Sequence, residues 1–95
     1  NRIGRITPAG VITEFSSGIS AAARPVGICA GADGNLWFTE YQGGRLGRIT
    51  QTGVVSEFTS AALPALSRPY GINPGPDGNL WFGISGLDQV GVVVP

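Results

Sequence analysis

The side chains with chemical capacity in this chain are few, and several recur. Asp33 and Asp77 open identical hexapeptides, Asp33-Gly34-Asn35-Leu36-Trp37-Phe38 and Asp77-Gly78-Asn79-Leu80-Trp81-Phe82, placed 44 residues apart. An aspartate so placed can ligate a cation. It can also accept backbone hydrogen bonds inside its own turn while Gly34 or Gly78 supplies a positive φ, and the Asp-Gly pair favours that turn. Trp37 and Trp81 offer a ring for stacking on a sugar or other planar ligand. Their mid-strand position favours packing between layers, together with Phe38 and Phe82. Arg5 and Arg48 suit an anionic ligand, or cross-strand pairing with Glu14 and Glu57, which is the stronger expectation. Cys29 lies among Ile28, Ala30 and Gly31 and reads as a small apolar filler; a single cysteine closes no internal disulfide. The chain has no histidine. A zinc site therefore lacks its partners, and no imidazole is at hand for acid–base work near neutrality.

Bulk properties remove further classes. Six basic and six acidic residues cancel, and no basic stripe exists to neutralise phosphates, so nucleic acid is not an expected partner. No apolar stretch approaches the roughly 18 residues of a membrane span. No signal peptide is visible and nothing assigns a compartment. The chain opens at Asn1 without a methionine and reads as a processed product or an excised piece.

The elements that must hold these residues are short strands. Sixteen glycines and seven prolines fall at repeating offsets, as turns do, and helical spacing is absent. Within one period, the expected strands are Pro25 to about Gly31, Asn35 to Tyr41, Arg45 to Thr50 and Val54 to Phe58. Turns at Ala32-Asp33-Gly34, Gln42-Gly43-Gly44 and Gln51-Thr52-Gly53 join them. Residues 1–15 hold the third and fourth strands of such a unit, 25–58 all four, and 69–95 the first three. Small, polar connectors, Ser16 to Arg24 and Thr59 to Arg68, separate the units.

Four strands in a period of about 43–44 residues predict an all-β fold of β-propeller blades. The consecutive apolar residues Leu36, Trp37 and Phe38 suit a sheet covered on both faces. Two stacked blades bury one shared interface, whereas closed propellers have roughly 4–8 blades. The chain is therefore expected to need further blades. The partner expected is a second copy of itself, with a trimer favoured and a tetramer possible. Asn1–Thr7 and Gln89–Val94 are both third strands of a unit and would compete for one slot in a ring, so one of them is expected to be displaced there.

The motifs Arg24-Pro25-Val26-Gly27-Ile28, Asp33-Gly34-Asn35-Leu36-Trp37-Phe38-Thr39-Glu40 and Asn1-Arg2-Ile3-Gly4-Arg5-Ile6-Thr7-Pro8-Ala9-Gly10 resemble the propeller repeat of streptogramin B (virginiamycin B) lyases. The Asp-Gly-Asn-Leu-Trp stretch is also similar to those of NHL-type and gluconolactonase-like propellers. The lyase resemblance implies a seven-bladed monomer that opens a lactone by metal-assisted elimination. It places a histidine before the glycine of Pro-X-Gly-Ile, where Val26 and Tyr70 stand, and a glutamate at the end of the Trp-Phe-Thr-Glu strand, where Glu40 fits and its repeat mate is Ile84. It also places Glu40 and Tyr70 on the central channel, which makes them the candidate ligand contacts. No catalytic or metal-binding residue follows from the chain itself, and a divalent cation such as magnesium enters only with the lyase reading. Three functions are expected in order: a non-catalytic blade module whose property is self-assembly, a piece of a lyase-like enzyme, and a small-ligand or sugar-binding ring.

Overall fold

A computed structural model describes all residues from Asn1 to Pro95. Nine strands follow one another without a helix: β1 (Ile3–Ile6), β2 (Ile12–Phe15), β3 (Pro25–Ala30), β4 (Leu36–Glu40), β5 (Arg45–Ile49), β6 (Val55–Phe58), β7 (Pro69–Pro74), β8 (Leu80–Ile84) and β9 (Gln89–Val93). They form three antiparallel meanders in chain order: a hairpin β1-β2, a four-stranded sheet β3-β4-β5-β6 and a three-stranded sheet β7-β8-β9. This is the β-propeller blade architecture, and the sheets do not close into a ring. Asn1–Thr7 and Gln89–Val94 each contribute a paired strand, β1 and β9, within the single chain.

The repeat is built by a small set of local devices. Asp33 takes the backbone N–H of Asn35 at 3.2 Å and the Asn35 amide at 3.1 Å, and also receives the Trp37 indole N–H at 3.2 Å. Asp77 does the same for Asn79, at 3.1 Å for each bond, and for Trp81 at 3.3 Å. The hexapeptide is thus a unit: the turn carboxylate orients the tryptophan of the strand it launches. Gly34 and Gly78 lie at φ +83°, where a side chain is strained. Phe38 lies directly opposite Gly47, and Phe82 opposite Gly91. Each ring covers its glycine, and a Cβ at Gly47 would overlap the Phe38 ring.

Strand β4 is buried on both faces. Phe38 points to the hairpin β1-β2 and packs with Ile3 and Ile49. Trp37 points the other way, into a cluster with Leu46, Ile72, Leu80, Phe82 and Ile84 that joins the second and third sheets. The first strands of these two sheets, β3 and β7, lie against each other. Thr39 stitches them: its hydroxyl receives the Gly27 N–H at 3.0 Å and donates to the Tyr70 carbonyl at 2.6 Å. Both β3 and β7 carry a register shift just after their leading prolines, between Pro25 and Ile28 and between Pro69 and Ile72.

Two expectations are corrected. Trp81 does not form part of a core between blades: it is 43% exposed, because no sheet lies on that face of β8. Arg5 and Arg48 do not pair with Glu14 and Glu57. They stand opposite Thr13 and Ser56, while the two glutamates oppose Gly4 and Gly47. A register offset of one residue puts side chains on opposite faces of a strand pair. Arg5 instead lies 5.4 Å over the Phe15 ring and donates to the Gln51 carbonyl at 3.1 Å. Arg48 lies against Trp37 at 5.5 Å and Phe58 at 5.2 Å, two rings that themselves stack with centroids 5.3 Å apart. Glu14 pairs with Arg2 at 3.0 Å.

Candidate functional site

The titratable groups of most chemical interest gather where β4, β5, β6 and the first connector meet. Glu40 ends β4 on the same face as Phe38, so the strand carries its carboxyl into the space between the middle sheet and the connector after β2. The side chain is fully buried. Its Oε1 accepts from Arg45 Nε at 2.9 Å, across the β4-β5 pair, and its Oε2 has no hydrogen-bond partner of ordinary geometry. Glu57, on β6, approaches the same carboxyl. It is held by Ser20, whose backbone N–H donates at 2.8 Å and whose hydroxyl donates at 2.5 Å.

Burial first, and then the neighbouring Glu57, push the Glu40 carboxyl up from an ordinary 4.5 to about 7, against the pull of Arg45. Desolvation pushes Glu57 up as well, but bonds from Glu40 and Ser20 outweigh it and hold Glu57 below its ordinary value. A carboxylate beside another carboxyl disfavours a second negative charge, so Glu40 keeps its proton to higher pH than Glu57 does.

This geometry corrects the expected place of Glu40. The carboxyl is sealed inside the sheet stack by Arg45 and Glu57 and offers no open ligand contact, because the face of β4 that carries it is covered. Tyr70 is different. It is 56% exposed on β7, and its ring meets Tyr41 edge-on at 6.0 Å. Val26, its counterpart on β3, is also exposed. Glu40 and Tyr70 are therefore not brought together into one site.

A second group lies at the end of the sheets where the connectors deliver β3 and β7. Arg24, Tyr41, Gln42, Leu66 and Arg68 line a recess of about 410 Å³. The Arg24 guanidinium lies 5.3 Å from the Tyr41 ring. Neither Arg24 nor Arg68 has a carboxylate within ion-pair distance. Sequence reading passed over both as the last residues of connectors. The available signal was the recurrence of Arg-Pro at 24–25 and 68–69, the same 44 residues apart as the tryptophans.

Comparison with known proteins places this geometry. The sequence matches the profile described as the virginiamycin B lyase family over residues 1–95. The chain belongs to this family. Among solved structures, it is similar to selenomethionine-substituted virginiamycin B lyase from Staphylococcus aureus, with 41% identity and a TM-score of 0.90 over 100% of this chain and 31% of that one. It is similar to a streptogramin B lyase at 41% identity and a TM-score of 0.89, covering 99% of this chain and 30% of that one. A third is a catalytically inactive histidine-to-alanine variant of the S. aureus virginiamycin B lyase with quinupristin, at 33% identity and a TM-score of 0.82, over 100% of this chain and 35% of that chain. No curated protein matches. The chain spans about a third of the length of these solved lyases.

The virginiamycin B lyase resemblance implies a divalent cation held by histidine and glutamate. The residues present do not fit one. No three histidine, cysteine, aspartate or glutamate side chains come together, and the one glutamate at the matching strand end, Glu40, is occupied by Arg45 and a neighbouring carboxyl.

Proposed function

We propose that this virginiamycin B lyase-family chain is a non-catalytic propeller-blade module that associates with further copies of itself into a closed ring. The observation that carries this reading is the apolar surface left on the two outer sheets. Trp81, Val90 and Val92 are exposed on the third sheet, and Ile6, Val11 and Ile12 on the first hairpin. Only 16 of 95 residues are buried, too small a core to favour the chain alone over a covered one. A ring of copies would place a first hairpin against each third sheet. The catalytic part of the reading rests on Val26 and Tyr70, which stand where the family resemblance puts histidine, and on the absence of any histidine in the chain.

Light scattering after size exclusion tests the reading. A mass of three or four times the 9.7 kDa chain supports a closed ring of copies; a monomer at all concentrations refutes it. A second reading, a piece of a lactone-opening lyase, is favoured by the unbroken family match over residues 1–95. It is supported if the chain, mixed with the remaining blades of a family lyase, restores divalent-metal-dependent opening of a streptogramin B lactone. No restored activity refutes it. The comparison lyase that lost a histidine is catalytically inactive, and this chain contains no histidine.

A further inference from the structure

We propose that the recess between the second and third sheets is an oxyanion-binding site, with the guanidinium groups of Arg24 and Arg68 as its two charged walls. The site lies inside one chain, so it stands whether or not copies of the chain form a ring.

The charge distribution of the whole molecule singles out this pair. All six basic residues are arginines. Arg2 pairs with Glu14, and Arg45 with Glu40. Arg5 donates to a backbone carbonyl, and Arg48 lies against two stacked rings. Arg24, Arg48 and Arg68 have neither a carboxylate nor a carbonyl on their guanidinium groups, and of these three Arg24 and Arg68 line the same recess of about 410 Å³. Two like charges facing one small space repel each other unless an anion lies between them. Burying an anion there gives each arginine the charge-assisted bonds its planar fork is shaped for.

The other walls agree with this. The Arg24 guanidinium carbon lies over the Tyr41 ring at 5.3 Å, and no carboxylate takes its N–H groups. Tyr41 and Gln42 are neutral residues with donor groups in the lining, and Leu66 adds an apolar residue. No acidic side chain lines the recess.

The backbone is built the same way twice. Ala22 and Arg24 have φ of +60° and +52°, and Leu66 and Arg68 have φ of +69° and +52°. Each such non-glycine residue is strained, and such strain gathers at functional positions. The carbonyl of each arginine is fixed to the turn of its own sheet. Arg24 O accepts from Tyr41 N at 3.0 Å, and Arg68 O from Ser85 N at 3.1 Å and from the Ser85 hydroxyl at 2.6 Å. Both arginines are thereby anchored at the backbone, and neither guanidinium is taken by a carboxylate.

The ligand class is a small molecule or group carrying a carboxylate or a phosphate. The test is calorimetric titration of the full chain with inorganic phosphate and, separately, with acetate, at constant ionic strength set by sodium chloride. Saturable binding at one site per chain is expected for at least one of the two. Saturation by phosphate alone assigns a phosphoryl ligand, and by acetate alone a carboxylate. Arg24→Gln and Arg68→Gln are each expected to weaken binding at least about tenfold, with Arg24→Lys and Arg68→Lys in between because the charge remains and the fork is lost. Arg5→Gln, whose guanidinium bonds the Gln51 carbonyl beyond the end of the β4-β5 pair opposite to Tyr41 and Gln42, is expected to bind as the parent does. Circular dichroism identifies any variant that fails to fold, and the lysine variants then carry the test. Absence of saturable binding by either anion overturns the proposal. So does binding that is equally weakened by Arg5→Gln, which marks general charge attraction.

Discussion

Trp37 and Trp81 stand in the same hexapeptide and occupy the same place in their strands. Each gives its indole N–H to the aspartate four residues before it. Yet Trp37 is 2% exposed and Trp81 is 43% exposed. The difference arises outside the repeat. Trp37 has Leu80, Phe82 and Ile84 of the following sheet against it, and Arg48 opposite it caps the ring. Trp81 has Val92 opposite it and no following sheet. Identical local sequence sets the turn, the strand and the side-chain direction. The next blade sets what that side chain contributes to stability.

The largest expected effect separates the two tryptophans directly. Trp37→Ala empties the cluster between the second and third sheets and is expected to cost about 3–5 kcal/mol in urea unfolding. Trp81→Ala is expected to cost less than about 1 kcal/mol under conditions where the chain is monomeric. If copies assemble, Trp81→Ala approaches the Trp37→Ala cost and lowers the assembled mass. Equal costs in the monomer would break the comparison.

The next effect uses a position where the two blades differ in chemistry, Glu40 against Ile84. With the folded Glu40 carboxyl at about 7 and its ordinary value at 4.5, the folded chain holds a proton that the unfolded chain has lost. Its contribution to stability is fully present below about pH 4.5 and is lost as pH rises through about 7. Glu57, held low, acts in the opposite sense and over a lower window, with stability present above its ordinary value and lost as pH falls. Glu40→Gln keeps a neutral group in place and is expected to raise stability by roughly 2 kcal/mol at pH 8 and to flatten the loss between pH 5 and 8. Melting temperatures across that range check it. An unchanged pH profile would show that Glu40 is not the proton holder.

Smaller effects test the turn unit. Asp33→Ala leaves the buried Trp37 indole N–H without a partner and is expected to cost about 1–2 kcal/mol. Asp77→Ala is expected to cost less, because water replaces the lost bond at the exposed Trp81. The smallest effect concerns the stitch between the inner strands. The repeat mate of Thr39 is Gly83, where an added Cβ meets nothing within 4 Å. Gly83→Ala is expected to change stability by no more than about 0.5 kcal/mol. Thr39→Val, which leaves the Gly27 N–H and the Tyr70 carbonyl unpaired, is expected to be clearly worse than that.

The fold was legible because its signals are local. The hexapeptide, the Pro-X-Gly-Ile strands and the glycines at fixed offsets each specify a turn or a strand without reference to the rest of the chain, and all nine strands fall in the expected segments. Pairing within each meander follows from short connections. The sites were less legible because they depend on which face of a strand meets which neighbour. A one-residue register offset took Arg48 away from Glu57 and set it against two rings. The same alternation turned Glu40 inward, beside Phe38, and no pattern of residue types marks that choice. Arg24 and Arg68 stand at connector ends, and nothing in a linear reading shows that residues 44 apart line one recess.

By itself the sequence determined the repeat, its strands, its turns and the aspartate–tryptophan unit, because those rest on backbone conformations and bonds within a few residues. Tertiary structure alone decided that Trp37 is core and Trp81 is surface, that Glu40 is buried beside Arg45, and that two arginines face one space. Burial and charge proximity are properties of neighbours brought together from distant segments, and they exist only once the sheets have stacked.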